Sequence, residues 1–300
     1  MIRIGIDLGG TKTEVIALDE QRNALLRRRE LTPPGDYEAT LALIARLVRE
    51  TESAVGKRGS VGVATPGAQS PADGHMRNSN STCLNGRALR SDLERVLGRE
   101  IRMENDANCF ALSEAVDGAA RNAPIAFGVI LGTGVGGGIV VNGKVLQGAN
   151  AIAGEWGHNP LPWPQPDELP GPACYCGKAG CIETFLSGPG LSNDYARSTG
   201  DKLAAPEIVL HADAGDAAAS QVMTRYENRL ARALATVINV IDPHVIVLGG
   251  GLSQIDRLYS NIPRLWRAWI FSDVVRTRLT RNFHGDSSGV RGAAWLWEKL

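Results

Sequence analysis

The chain has 300 residues, and its 32 lysines and arginines balance its 32 aspartates and glutamates. That length exceeds one typical core and points to two domains, while the zero net charge argues against nucleic acid or a membrane surface as partner. No run is long and apolar enough to span a bilayer, and the strand-like start MIRIGIDLGG is unlike a signal peptide, so a cytoplasmic location is expected.

Ile2, Ile4 and Ile6 alternate with Arg3 and Gly5, the period of a strand. A glycine turn, Asp7-Leu8-Gly9-Gly10-Thr11-Lys12, leads to a second strand-like run over 13–18, and a turn at 19–23 leads to a third over 24–31. Such a hairpin exposes backbone N–H groups at its tip, and these can cradle phosphate oxygens. Asp7 ends the first strand, where a carboxylate could hold Mg²⁺ directly or through water. The turn is neither Gly-Lys-Ser/Thr opening a helix nor G-x-G-x-x-G, so its spacing alone leaves a plain hairpin open. Tyr37, Leu41, Ile44, Leu47 and Val48 then recur at helical spacing up to Gly56. A short strand at 61–64 is followed by turn residues at 65–67 and 70–74. The polar run Asn78-Ser79-Asn80-Ser81-Thr82 reads as a surface loop. Leu93, Val96 and Leu97 suggest a short helix ending at Gly98. A strand at 101–103 leads through Glu104 to Asn108 into another helix, with Asn105 or Asp106 as its N-cap.

Residues 117–124 form the expected domain boundary. The next strand, 125–131, is followed by Gly132-Thr133-Gly134-Val135-Gly136-Gly137-Gly138, a strand at 139–141 and the hairpin turn Asn142-Gly143. Strand, Gly/Thr turn, strand has thus recurred, and one such loop per domain could clamp a polyphosphate. Close backbone packing in a glycine-rich hairpin is the alternative. Within 154–187 lie one imidazole and three thiols, His158, Cys174, Cys176 and Cys181. Four N and S donors in one segment suit a tetrahedral structural zinc. Glu155 and Glu183 bracket this cluster and offer acceptors to a polyhydroxylated ligand. Cys83 and Cys109 read as ordinary thiols. Farther on, Pro206 marks a helix start, and Val222, Tyr226, Leu230, Ala233, Val237 and Ile241 trace one long buried stripe, read as core and nothing more. After a buried strand at 245–248, Gly249-Gly250-Gly251 makes a turn without side chains to collide with a flat ligand. The last residues, from Ser287 on, read as a helix.

Gly157-His158, then Cys-x-Cys-Gly-x-x-Gly-Cys-x-Glu over 174–183, resembles the zinc signature of the ROK family (repressor, open reading frame, kinase) of bacterial sugar kinases. DLGGTKT resembles the first phosphate loop of the actin-like ATPase and sugar-kinase superfamily, and NDAN at 105–108 resembles the family's catalytic segment. The similarity extends over essentially the whole chain. It implies an α/β, two-domain actin-like ATPase (ribonuclease H-like) sugar-kinase fold with an interdomain cleft. The expected division is a small N-terminal α/β domain over 1–117, with a C-terminal helix at about 288–300 packing back on it, and a large α/β domain over 118–287 carrying the zinc loop 158–181.

The implied reaction moves the γ-phosphoryl group of MgATP to the 6-hydroxyl of a hexose, with Asp106 as general base. The resemblance assigns Asn80, Ser81, Asn105, Glu155, His158 and Glu183 to the sugar, His158 giving one ring nitrogen to zinc and the other to the sugar. Asp7, Gly9, Gly10, Thr11 and Lys12, with Gly132, Thr133, Gly134 and Gly136, fall at the phosphates, and Gly249 and Gly250 beside the adenosine. Many relatives carry tryptophan where this chain has Cys83. The strings NSTCLNG, AGEWGHNPLPW and GDSSGVRGAAWLW look most like the fructokinase and mannokinase branch, so D-fructose is the expected hexose. N-acetylglucosamine kinase, glucokinase or mannokinase is the alternative. A sugar sensor or repressor would be a different class; a first strand beginning at Ile2 leaves no room ahead of it for a helix-turn-helix. A homodimer is expected.

Overall fold

The structure is a computed structural model that describes residues 2–297. It divides into two units, residues 1–121 with 143–153 and 284–300, and residues 122–142 with 154–283.

In the first unit, β1 (Ile2–Leu8), β2 (Lys12–Leu18) and β3 (Ala24–Leu31) form an antiparallel meander. Helix α1 (Tyr37–Val55) starts on Asp36, whose side chain accepts from the Ala39 N–H at 2.9 Å, and stops at Gly56 with φ 69°. The chain continues through β4 (Gly59–Thr65), the two-residue strands β5 (Ala68–Gln69) and β6 (Met76–Arg77), α2 (Leu89–Leu97), β7 (Arg102–Asn105) and α3 (Asp106–Val116). The sheet order is β3-β2-β1-β4-β7, with β4 and β7 parallel to β1. Ile4, Ile6 and Leu8 fill its core with Ile44, Leu47, Val61 and Val63. The last strand runs to Asn105 rather than ending at Met103, so it carries Asn105 and then Asp106 to its carboxyl end.

The second unit repeats that plan. β8 (Ile125–Leu131) makes a hairpin with β9 (Val135–Val141), and β10 (Val245–Gly249) and β11 (Arg278–Arg281) add in parallel, in the order β9-β8-β10-β11. The helices are α4 (Ile182–Leu186), α5 (Gly188–Thr199), α6 (Ala205–Asp213), α7 (Ala217–Ile241) and α8 (Arg257–Leu265). Val222, Tyr226, Leu230, Ala233 and Val237 of α7 are buried as expected, but Ile241 is only half-buried. The same helix also buries Arg229 and Arg232, which a purely apolar reading of the stripe did not include.

The terminal helix α9 (Ser288–Trp295) packs on β1, β4 and α3 of the first unit; of the helix expected over 288–300, residues 298–300 lie outside the described residues. Glycines permit the close approach. A Cβ on Gly5 would lie 2.0 Å from the Val290 carbonyl oxygen, and one on Gly62 only 1.9 Å from that of Ala293. Segment 143–153 joins the same unit, where Gln147 Nε2 donates to Glu104. Among the described residues no helix is long and apolar enough to cross a membrane.

Candidate active site

In the first unit the turn after β1 closes with a bond from the Gly9 N–H to the Lys12 carbonyl at 3.0 Å. Thr32 Oγ1 donates to the Gly9 carbonyl at 2.8 Å and also meets Thr13 Oγ1 at 2.8 Å. Gly10, Thr11 and Lys12 remain exposed at the tip, so their polar groups can meet a ligand. Ser81 comes close to this turn from the loop at 78–82: its Oγ lies 3.1 Å from where a Gly10 Cβ would be, buried and without a hydrogen-bond partner. Asn80 is exposed.

Asn105 ends β7 and caps α3, its Oδ1 accepting from the N–H groups of Ala107 (2.9 Å) and Asn108 (3.3 Å). Its amide donates to the Gly67 carbonyl at 3.1 Å. Asp106 is the first residue of α3, and its Oδ1 accepts from the Ala107 N–H at 2.8 Å. Capping and a functional role are compatible here, because each side chain keeps further polar capacity. Glu104 supports the turn by accepting from the Asn105 N–H at 2.9 Å and from Asn108 Nδ2 at 3.0 Å. Burial raises the Asp7 carboxyl to about 7, helped by the charges of Asp106 and Glu14 and opposed by Arg29. A carboxyl crowded by other acids gains from a divalent cation, so the donor set fits the implied Mg²⁺.

In the second unit the four metal-ligand atoms of His158, Cys174, Cys176 and Cys181 all lie within 4.8 Å of one another. Nδ1 of His158 is 3.6 Å from Cys174 Sγ, and Cys176 Sγ is 3.6 Å from Cys181 Sγ. Tetrahedral arms of about 2.0–2.3 Å to N and S place donors at roughly this spacing. Burial, with the neighbouring thiols, pushes Cys181 up to about 12, so three adjacent thiolates require a compensating cation. The set therefore fits zinc. His158 turns its other nitrogen, Nε2, to the Tyr175 hydroxyl at 2.9 Å, a partner that a sugar hydroxyl would have to replace.

The Pro-rich excursion between the ligands is tied to α7. Arg232 Nη1 donates to the carbonyls of Pro162 (3.0 Å) and Trp163 (2.6 Å), and its Nη2 meets Glu168. Arg229 bridges Glu168 (2.8 Å) and Asp194 (2.9 Å). Two arginines three residues apart inside an apolar helical stripe were the available signal for this network.

The second glycine segment divides into two parts. Gly132, Thr133 and Gly134 form the turn, with the Gly132 N–H bonded to the Gly134 carbonyl at 3.0 Å. Gly136 is not in the loop, because β9 already starts at Val135. Its carbonyl accepts from Trp156 Nε1 at 3.1 Å, and a Cβ on Gly137 would lie 2.7 Å from the Trp156 ring. Close approach of the Trp156 ring and the Gly154 carbonyl thus accounts for Gly137. Glu183 sends Oε2 to the Val135 N–H at 2.8 Å, whereas Glu155 is exposed.

Beside Gly132 and Thr133 is a cavity of about 830 Å³, walled by Pro189, Asn193, Lys202, Leu210 and Gln254 among others. Gly251 lines it; Gly249 and Gly250 do not. Gly249 ends β10, and Gly250 (φ 80°) is where a Cβ would lie 2.4 Å from the Leu131 carbonyl oxygen. A side chain at Gly250 would thus collide with the β8 backbone, and Gly251 is the glycine of this run that lines the cavity.

The profile of the ROK family matches residues 3–300. The chain belongs to the ROK family. It is 40% identical over 296 residues, 97% of each chain, to a protein of Pectobacterium atrosepticum named N-acetyl-D-glucosamine kinase, and equally to one of Yersinia pseudotuberculosis with the same name. Among solved structures it superposes on a ROK hexokinase from Thermus thermophilus with a TM-score of 0.87 and 31% identity, covering 98% of this chain and 97% of that one. A ROK glucokinase from Streptomyces griseus, in complex with glucose and AMPPNP, gives 0.80 and 26% identity with 99% of each chain covered. The fold is thus the ROK sugar-kinase form of the actin-like ATPase fold. The branch expected from the sequence is corrected: relatives at this level of identity are named N-acetyl-D-glucosamine kinases, and fructose finds no support. Two of the three strings overlap the zinc loop and α9, and they carried family rather than substrate.

Proposed function

We propose that this ROK protein transfers the γ-phosphoryl group of ATP to the 6-hydroxyl of N-acetyl-D-glucosamine. The supporting observation is the 40% identity to N-acetyl-D-glucosamine kinases over 97% of each chain. Glucose and mannose are the next candidates, in keeping with the hexokinase and glucokinase likenesses.

Asp106, anchored through Oδ1 at the start of α3, takes the hydroxyl proton as the sugar oxygen bonds to phosphorus and the bond to the β–γ bridging oxygen breaks. Asn105, His158, Glu155 and Glu183 orient the sugar by hydrogen bonds to its hydroxyls. Ser81 Oγ, buried without a partner beside Gly10, is suited to an oxygen of either substrate. N–H groups of the turns at 9–12 and 132–134 receive phosphate oxygens. Mg²⁺, held by Asp7 directly or through water, would neutralise phosphate charge. Zinc on His158, Cys174, Cys176 and Cys181 would fix the shape of the sugar loop. The cavity beside Thr133 and Gly251 takes the adenosine on its apolar walls.

A coupled ADP-release assay with MgATP against N-acetylglucosamine, glucose, mannose and fructose tests this. Highest kcat/KM for N-acetylglucosamine is expected. Preference for another hexose rejects the substrate and keeps the kinase; silence with every sugar rejects catalysis and favours a sugar sensor. A homodimer also remains part of this reading, checked by sedimentation.

A further inference from the structure

The segment that follows the last zinc ligand reaches the second glycine turn at two points. Glu183 Oε2 accepts from the Val135 N–H at 2.8 Å, and the Gly188 N–H donates to the Gly132 carbonyl at 2.8 Å. The carboxylate also fills the space over Gly134, where a Cβ would lie 2.6 Å from Oε2. Gly132 and Thr133 of that turn line the 830 Å³ cavity. Glu183 is thereby bonded directly to the residue that follows the turn and packed over Gly134 within it, with no intervening side chain.

We infer that Glu183 is a coupling residue as well as a sugar ligand: its carboxylate sets the conformation of the Gly132–Gly134 turn and so links sugar occupancy to nucleotide affinity. This rests on the proposed kinase reading. One oxygen is committed to Val135, so a sugar hydroxyl must use the remaining acceptor capacity of the same group. A carboxylate accepting at both ends holds sugar and turn in one arrangement. Each ligand then meets a site the other has ordered, and the linkage is reciprocal.

Binding is measured separately for a non-hydrolysable ATP analogue with Mg²⁺ and for N-acetylglucosamine, each alone and with the other, by calorimetry. Glu183→Ala is expected to weaken the analogue about tenfold or more without any sugar present, the scale of a lost hydrogen bond to a charged group. Glu183→Gln keeps an acceptor for the Val135 N–H, so it should retain analogue binding while losing sugar affinity. The reciprocal variant is Gly134→Ala, whose methyl must push the carboxylate aside; it should weaken sugar binding with no nucleotide present. Zinc content serves as the control for an intact loop. Unchanged analogue binding in Glu183→Ala together with unchanged sugar binding in Gly134→Ala overturns the coupling. Should Glu183→Ala lose its zinc, the Glu183→Gln and Gly134→Ala pair still decides. Wild-type protein that binds neither ligand overturns the kinase reading itself, a result distinct from lost coupling.

Discussion

Arg232 and Glu168 meet through two hydrogen bonds, 2.7 and 2.9 Å, in a pair almost wholly shielded from water. Burial alone would raise the Glu168 carboxyl, but Arg232 and Arg229 hold it below its ordinary 4.5. The pair anchors the Pro-rich excursion, because Arg232 also donates to the Pro162 and Trp163 carbonyls. Removing the guanidinium in Arg232→Met should cost about 3–5 kcal/mol, the usual penalty for orphaning one partner of a buried pair. Denaturant unfolding with a zinc assay checks this, and a loss under 1 kcal/mol would remove the anchor. The contribution of Glu168 is present above about pH 4.5 and disappears as pH falls through its lowered folded value.

Asp106→Asn keeps an acceptor for the Ala107 N–H and therefore the start of α3. It cannot take a proton. We expect kcat to fall by about 10²–10⁴ with KM for the sugar little changed, the range for removing a general base. Near-normal turnover would show that another group accepts the proton.

Asp7 gives the metal-free protein a pH dependence of the opposite sign to Glu168. Its carboxyl is raised from 3.8 to about 7, so the folded state binds the extra proton between those values. Stability should therefore decline as pH rises from about 4 through about 7. Asp7→Asn should flatten that decline and melt higher than wild type at pH 8 without Mg²⁺. Equal melting temperatures at pH 8 would count against the raised value.

Cys176→Ser removes one of four clustered donors while its neighbours Cys174 and Cys181 stay buried. We expect bound zinc to drop from about one per chain to well below half, and sugar affinity to fall with it. Metal analysis after gel filtration measures the first, and full retention of zinc would dismiss Cys176 as a ligand.

The sequence by itself determined what depends on neighbours along the chain. Alternation at Ile2, Ile4 and Ile6 fixed a strand, the turn at Gly9–Lys12 fixed a hairpin, and a His with three Cys in one loop fixed a donor set that the fold brings within 4.8 Å. Those signals are short-range, because periodicity, turn chemistry and ligand type are local properties. Only tertiary structure decided which glycines line the cavity and which lie against another backbone. Gly136, Gly249 and Gly250 look identical in sequence to Gly132 and Gly251, yet the first three lie in strands or against them while the last two line the cavity. Likewise, nothing near Glu183 in the chain reveals the Val135 N–H, 48 residues away, and nothing near Glu168 reveals Arg232, 64 residues away. Hydrogen bonds across such separations form when strands and helices pack, so their partners are set by the fold and not by spacing.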